Sequence, residues 1–128
     1  MGRDSSTALT TGGSPTVEPL AFADEVTSAL EMLTRRWTPQ IVLLLSRQPA
    51  RFNEVSRLIP GLSKRLVGER LRELQAAGLV SRRVDPGPPI TAVYSLTAEG
   101  ERLSPLFDNM WTFAEELSRT AAAERTDS

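Results

Sequence analysis

The sequence predicts a mainly α-helical fold with one small β-hairpin, and three observations carry this prediction. Apolar residues recur at helical spacing in five segments of the chain. The pair Pro60-Gly61 separates the third segment sharply from the fourth. Two short runs of strand-forming residues, 79–84 and 91–96, flank the loop Asp85-Pro86-Gly87-Pro88-Pro89, an arrangement that is typical of a hairpin.

Length and composition limit the class of protein. The chain has 128 residues, of which 40% are hydrophobic and 24% are charged, as expected for one domain with a core. No apolar run is long enough to cross a membrane, and the N-terminus lacks the pattern of a secretory signal. We therefore expect a cytoplasmic protein that does not bind membranes.

The absence of two residue types removes much of enzyme chemistry. The chain contains no cysteine and no histidine, which excludes disulfides, thiol switches and the commonest general base and transition-metal ligand. A carboxylate-only site remains open, but the acidic residues form no recognisable cluster. We expect no enzymatic activity, no metal site and no cofactor.

We predict three regions along the chain. Residues 1–19 are rich in Ser, Thr, Gly and Pro and have no apolar period, so they are expected to form a disordered arm. Residues 20–118 are expected to form one folded domain. Residues 119–128 are expected to be a frayed tail.

The first two helices have recognisable signals. The first is expected to begin near Ala21, with Val26 and Leu30 on its apolar stripe. The second is expected to begin at Thr38-Pro39, where Thr38 can act as the N-cap and Pro39 suits the first helical position.

The third and fourth helices follow closely. The third is expected over residues 51–59. After the Pro60-Gly61 turn, the fourth is expected to open with Ser63 as its N-cap and to end at Ala77, before a left-handed Gly78. One stripe of the fourth helix should pack on the third, and it consists of Val67, Leu71 and Leu74.

The last helical segment, from about Ala98, carries more apolar residues than the remaining core needs. Pro105 lies inside it and is expected to start a new helix or to kink the first. We predict that this segment and the first helix form a dimer interface, whose residues are Val26, Leu30, Leu103, Leu106, Phe107, Met110, Trp111, Ala114 and Leu117. Packing within one subunit is the alternative.

The order helix, turn, helix, hairpin is that of a winged helix-turn-helix, here with N- and C-terminal dimerisation helices. The second helix of such a motif lies in the major groove of DNA. Residues 47–83 hold nine basic and three acidic residues, a net charge of +6, whereas the rest of the chain carries −7. A basic centre favours binding to a polyanion. A solvated charged face is the alternative.

The fourth helix and the hairpin supply the candidate DNA-binding residues. Arginine can bond to guanine, glutamate can accept from cytosine, and a glycine permits close approach. An ordinary surface pair of Arg65 with Glu69 is the alternative for those two residues. The predicted contacts from these elements are Ser63, Lys64, Arg65, Gly68, Glu69, Arg70, Arg72, Arg82 and Arg83.

Several segments together resemble a known family. They are Arg36-Trp37-Thr38-Pro39, Arg51-Phe52-Asn53-Glu54-Val55, Pro60-Gly61-Leu62-Ser63, Leu71-Arg72-Glu73-Leu74, Ala77-Gly78-Leu79-Val80 and Tyr94-Ser95-Leu96-Thr97-Ala98-Glu99-Gly100. In this order they resemble the HxlR family of bacterial winged-helix regulators, over about residues 24–113. The resemblance implies a dimer joined by its terminal helices and a two-fold-related operator. It implies that Ser63, Lys64 and Arg65 lie at the DNA, with Arg51 near the DNA backbone and Phe52 in the core.

The sequence departs from this family at three positions. Asp24 stands where many relatives have a cysteine that senses oxidants or electrophiles, so the chain cannot use that switch. Thr91 occupies a position in the hairpin that is often Arg, which leaves minor-groove insertion open. Gly68 replaces the usual Ser or Thr, a change that bears on base preference.

These observations predict a sequence-specific regulator, specifically a repressor that binds a palindromic operator in double-stranded DNA as a homodimer. One alternative is a sensor with an apolar pocket for a small-molecule effector at the dimer interface, walled by Trp37, Trp111 and Phe113. Another is a protein-interaction module on the same scaffold.

Overall fold

The computed structural model describes residues 21–127, which form five helices and three strands. In chain order they are α1 (Asp24–Leu33), α2 (Thr38–Arg47), β1 (Ala50–Arg51), α3 (Phe52–Leu58), α4 (Lys64–Ala76), β2 (Val80–Asp85), β3 (Thr91–Leu96) and α5 (Ala98–Asp127). The arm predicted over residues 1–19 lies outside the described residues.

The core forms where α3 packs on α4, α2 packs on α5 and β3, and α4 packs on β2. The predicted stripe of α4 is confirmed, since Val67, Leu71 and Leu74 are all buried. The other buried apolar residues are Ile41, Val42, Leu45, Ala50, Val55, Ile59, Leu62, Val80, Tyr94 and Phe107. Burying this apolar surface supplies most of the stability of the domain.

The start of α2 differs from the prediction. Its N-cap is Trp37, with φ 79°, and not Thr38, because the first helical bond runs from the Ile41 N–H to the Trp37 carbonyl oxygen at 3.0 Å. Thr38 points into the core instead and is only 1% exposed. The Trp37 ring lies against the turn before α4, where its Cη2 atom would be 3.4 Å from a Cβ at Gly61.

The turn and caps around α4 follow the sequence. Gly61 has φ 90°, a conformation that glycine adopts without cost. Ser63 is the N-cap, and its hydroxyl oxygen accepts a hydrogen bond from the Leu66 N–H at 3.2 Å. Gly78, with φ 78°, follows the helix in the expected left-handed conformation.

The sheet has one strand more than the sequence predicted. The antiparallel order is β1-β3-β2, with Ala50 opposite Tyr94 on one side and Arg82 opposite Tyr94 on the other. The short strand β1 was missed because two residues carry no alternating pattern. We refer to the hairpin of β2, loop 86–90 and β3 as the wing.

The last helix is a single element, so Pro105 does not start a new helix, and the other alternative, that it kinks this helix, stays a prediction. Proline lacks the N–H that would bond to the Glu101 carbonyl. The Ser104 hydroxyl donates to that carbonyl oxygen instead, at 3.5 Å. The helix continues to Asp127 through the tail that was expected to fray, and fraying of residues 119–128 stays a prediction.

The beginning of α5 is joined closely to the turn between α4 and β2. Thr97 donates its hydroxyl hydrogen to the Gly78 carbonyl at 2.7 Å and accepts from the Gly100 N–H at 3.1 Å. A Cβ at Gly100 would overlap the Leu79 carbonyl oxygen. The Thr97-Ala98-Glu99-Gly100 segment therefore sets the direction of α5. Within residues 21–127, no helix is long and apolar enough to span a bilayer.

Candidate nucleic-acid interface

The N-terminus of α4 projects from the domain with three polar side chains. Ser63, Lys64 and Arg65 are all exposed. The Ser63 hydroxyl caps the helix, which fixes the direction in which the first turn points. The positive end of the helix dipole coincides with the Lys64 and Arg65 charges, so this tip attracts anions.

The face of α4 opposite its buried stripe carries Arg65, Glu69 and Arg72. The Arg65 Nη1 atom lies 2.6 Å from the Glu69 Oε2 atom, which is the i, i+4 ion pair considered as the alternative for these residues. The Arg65 side chain is still 74% exposed. An exposed pair of this kind contributes about 0–1 kcal/mol, so a phosphate or base edge can replace Glu69 at little cost.

Gly68 makes room for a neighbouring cation. A Cβ at this position would lie 3.3 Å from the Arg72 Nη1 atom and 3.8 Å from the Phe52 Cε1 atom. The Arg72 guanidinium therefore lies close to the helix at Gly68. The absence of a side chain at Gly68 lets Arg72 take this position on the exposed face.

Arg70 was predicted as a phosphate contact, and its position contradicts that role. The residue is only 9% exposed. Its Nε–H donates to the Arg36 carbonyl oxygen at 2.8 Å, and its Nη1 atom lies 3.5 Å from Glu73 Oε2 and 3.8 Å from Glu69 Oε1. Arg70 therefore ties α4 to the turn before α2 and cannot reach DNA from this position.

The two arginines of the wing lie on opposite faces of the sheet. Both are exposed. Residues of a strand alternate between faces, so Arg82 shares a face with the buried Val80, while Arg83 shares the other face with Asp85. The two guanidinium groups therefore leave the wing in different directions.

The Arg51 side chain is hydrogen-bonded to two residues of the wing. Its Nε–H donates to the Thr91 hydroxyl oxygen at 3.2 Å, and its Nη2 atom donates to Asp85 Oδ2 at 3.4 Å. Its backbone N–H donates to Glu54 Oε1 at 2.8 Å. Half of the side chain remains exposed. Asp85 and Thr91 lie 34 and 40 residues after Arg51 in the chain, so no local sequence pattern predicts these contacts.

The residues predicted to form the dimer interface divide into two groups. Phe107 is only 4% exposed and belongs to the core of its own chain, and Leu103 is half-buried against that core, so the prediction was wrong for Phe107 and in part for Leu103. They lie where α5 crosses the domain. The remaining residues are exposed, namely Val26, Leu30, Leu106, Met110, Trp111, Ala114 and Leu117.

The three aromatic residues expected to wall an effector pocket are not brought together. Trp37 packs on the turn at Gly61. Trp111 and Phe113 are two residues apart on α5, so their side chains leave the helix in nearly opposite directions. Trp111 instead lines a surface groove of about 310 Å³, with Gln40, Leu43, Leu44, Arg47, Leu58 and Asp108. Over residues 21–127, no cluster of acidic side chains could hold a metal ion.

The helix-turn-helix, the wing and the exposed cations define a winged helix-turn-helix of the kind found in transcriptional regulators. Residues 32–121 match the family model described as HxlR-like helix-turn-helix. The chain belongs to the HxlR-like helix-turn-helix family, which confirms the resemblance drawn from the sequence.

The relatives of this chain are transcriptional regulators. It is 36% identical over 90 residues to the HTH-type transcriptional regulator YodB of Bacillus subtilis (strain 168), over 70% of this chain and 80% of YodB. The structure of reduced YodB from B. subtilis matches with a TM-score of 0.64 at 33% identity, over 75% of this chain and 94% of that chain. Quinone-bound YodB matches with a TM-score of 0.62 at 32% identity, over 74% and 99%. The redox regulator HypR in its oxidized form matches with a TM-score of 0.67 at 32% identity, over 72% and 95%.

Proposed function

We propose that this regulator is a repressor that binds a palindromic operator as a homodimer. The observation that carries the proposal is a group of exposed cations on the N-terminus and outer face of α4 and on the two faces of the wing, which we refer to as the cationic surface. Its arginine and lysine residues are Lys64, Arg65, Arg72, Arg82 and Arg83, and all of them are exposed. A small domain that covers promoter DNA can repress by occlusion alone.

The residues of this surface have different roles in the proposal. Lys64, Arg82 and Arg83 bind phosphates and supply affinity that falls with salt. Arg65 and Arg72 bond to base edges in the major groove. Ser63 sets the helix tip against a phosphate, Gly68 leaves space for Arg72, and Glu69 either accepts from cytosine or holds Arg65. Arg51 lies beside the DNA backbone.

The test is DNA binding by wild type and by Arg65→Ala. A fluorescein-labelled duplex is first selected from a random-sequence pool by the wild-type protein, and binding is followed by anisotropy over a salt titration. We expect Arg65→Ala to weaken specific binding by about 1–3 kcal/mol, because a bidentate contact to a base is lost. Binding to unselected DNA should change much less.

A matched control is Arg102→Ala. Arg102 is 77% exposed and also pairs with a glutamate on its own helix, Glu99 at 2.8 Å, but it lies on α5. It should bind DNA like wild type. Equal affinity of Arg65→Ala and Arg102→Ala for the selected duplex would remove Arg65 from the contact surface, and failure to select any duplex would count against the function.

The dimer in this proposal is supported by apolar side chains that one chain leaves exposed. Val26, Leu30, Leu106 and Leu117 are each more than half exposed, on α1 and α5. We expect a dimer by light scattering at micromolar concentration and a monomer for Leu117→Asp, because a buried unpaired charge is costly. Two recognition helices about 34 Å apart should select two-fold-symmetric DNA. A wild-type monomer would contradict the dimer.

A second candidate role is release from DNA by a small molecule. The groove beside Trp111 favours it, since Leu43, Leu44 and Leu58 give it an apolar lining. The relative YodB has a quinone-bound form. This chain has no cysteine, so a ligand would have to bind without a bond to a thiol. Quinones are tested by their effect on the anisotropy of the DNA complex, with Trp111→Ala as the variant that should lose the response.

A further inference from the structure

Arg51, which lies outside the hairpin, contacts the neck of the wing, by which we mean the last pair of strand residues before loop 86–90. Asp85 and Thr91 are the last pair of residues that β2 and β3 place opposite each other before loop 86–90. Arg51 lies on the far side of β3, opposite Val93. Opposed residues share a face, as do residues two apart on one strand. Arg51, Thr91 and Asp85 therefore lie on the same face of the sheet, in reach of one another.

Arg51 bridges both strands of the hairpin at this neck. Its Nε–H donates to Thr91 on β3 at 3.2 Å, and its Nη2 atom donates to Asp85 on β2 at 3.4 Å. The second carboxylate oxygen of Asp85 accepts from the Gly87 N–H at 3.3 Å, inside the loop. One guanidinium thus restrains the first strand, the second strand and, through Asp85, the loop at the tip.

The other end of Arg51 is fixed to the helix-turn-helix. Its backbone is the N-cap of α3, where the N–H donates to Glu54 Oε1 at 2.8 Å. The planar fork of a guanidinium makes two directed bonds at once, which a lysine ammonium cannot reproduce in the same geometry. The residue therefore links α3 to the wing.

We infer that Arg51 is a positioning residue, which sets the wing relative to the recognition helix α4 through Asp85 and Thr91. The inference rests on the proposed DNA-binding function, and it assigns Arg51 a role other than a simple phosphate contact. It also explains why an acidic residue is present at the wing, beside a surface proposed to bind DNA. Asp85 is the partner that keeps the Arg51 fork in place.

The inference predicts that Asp85→Asn lowers the affinity for DNA, which is opposite to the effect expected from its change in charge. Coulomb's law alone predicts that removing a negative charge beside DNA tightens binding. The asparagine keeps the oxygen that accepts from Gly87 but loses the charge that holds Arg51. We expect binding to the selected duplex to weaken by about twofold to fivefold, the effect of losing one half-exposed ion pair. Equal or tighter binding would overturn the inference.

A double-mutant cycle separates positioning from direct contact. If Arg51 acts through Asp85, then Arg51→Ala, Asp85→Ala and the double variant all weaken binding to a similar extent. If Arg51 contacts a phosphate directly, the two single effects have opposite signs and add, which would refute positioning. Thr91→Val removes one acceptor without changing charge, and it should weaken binding in the same direction but less.

Hydrogen exchange of the free protein gives a readout that does not depend on DNA. Arg51→Ala and Asp85→Asn should both speed amide exchange in residues 80–96, whereas α4 and the melting temperature change little. If the wild type selects no duplex, the proposed function fails. Hydrogen exchange still tests whether Arg51 restrains the wing, because it is measured without DNA. Exchange in the wing that matches wild type in both variants would overturn the inference.

Discussion

Replacing Arg70 by methionine is the perturbation that most sharply tests the interior of this structure. The guanidinium is buried against the turn before α2, where its Nε–H donates to the Arg36 carbonyl oxygen at 2.8 Å. Glu73 contacts Arg70 through its Oε2 atom, and its other carboxylate oxygen, Oε1, lies 3.7 Å from the Arg35 Nε atom. Methionine keeps most of the aliphatic stem of Arg70 and removes only the charged donor group.

The cost follows from what the substitution leaves behind. The Arg36 carbonyl loses its partner, which costs about 1–3 kcal/mol where water cannot replace the bond. The side chains of Glu69 and Glu73 are about one third exposed and lie 3.8 and 3.5 Å from Arg70 Nη1, so their lost ion pairs add only about 0–1 kcal/mol. Part of this cost is offset, because the variant no longer has to bury the charge of a guanidinium. We therefore expect the free energy of unfolding to fall by about 2 kcal/mol.

Two measurements on the same variant distinguish this role from a contact to DNA. Urea unfolding, at one fixed protomer concentration, should give a lower midpoint with an unchanged m-value. The slope of log affinity against log salt should equal that of wild type, because Arg70 neutralises no phosphate. A variant with wild-type stability and a salt slope smaller by about 1 would refute this reasoning and restore Arg70 to the DNA surface.

Two further substitutions test the packing that positions α2 and α5. The Thr38 hydroxyl is buried without a hydrogen-bond partner among the described residues, so Thr38→Val should leave stability equal or raise it by up to about 1 kcal/mol. A loss larger than that in urea unfolding would mean that the hydroxyl is bonded. Gly100→Ala should destabilise by about 1–3 kcal/mol or more, because its Cβ would overlap the Leu79 carbonyl oxygen. Gly68→Ala is the matched control, since its Cβ would meet the flexible end of Arg72 at 3.3 Å and Phe52 at an ordinary contact distance of 3.8 Å. Equal thermal shifts for the two variants would contradict the close approach at Gly100.

The elements that could be predicted are those with signals inside one segment of chain. Ser63 at the start of α4, Gly78 after its end and the stripe of Val67, Leu71 and Leu74 all act within a few residues, and the structure confirms each. The hairpin was found for the same reason, although β2 begins one residue later than expected. Local hydrogen bonds and periodicity are enough to define such elements.

The features that were missed depend on partners far away in the chain. Strand β1 exists only because Ala50 and Arg51 pair with β3, more than 40 residues later. Arg70 was predicted to contact DNA from the sequence of α4 alone, and its hydrogen bond to the distant Arg36 carbonyl is what turns its side chain into the protein. Phe107 follows the same pattern, since its periodicity fits an exposed stripe and a core position equally well.

The sequence by itself determined the order of the elements, the winged helix-turn-helix class and the cationic character of the surface formed by α4 and the wing. These follow from periodicity, caps, turns and charge, which act over short distances along the chain. Only the tertiary structure decided which cations remain exposed. Arg65 and Arg72 stay exposed, Arg70 is buried by the turn before α2, and Arg51 is held by Asp85 and Thr91. Long side chains of the same type take these different roles because their partners come from segments that only folding brings together.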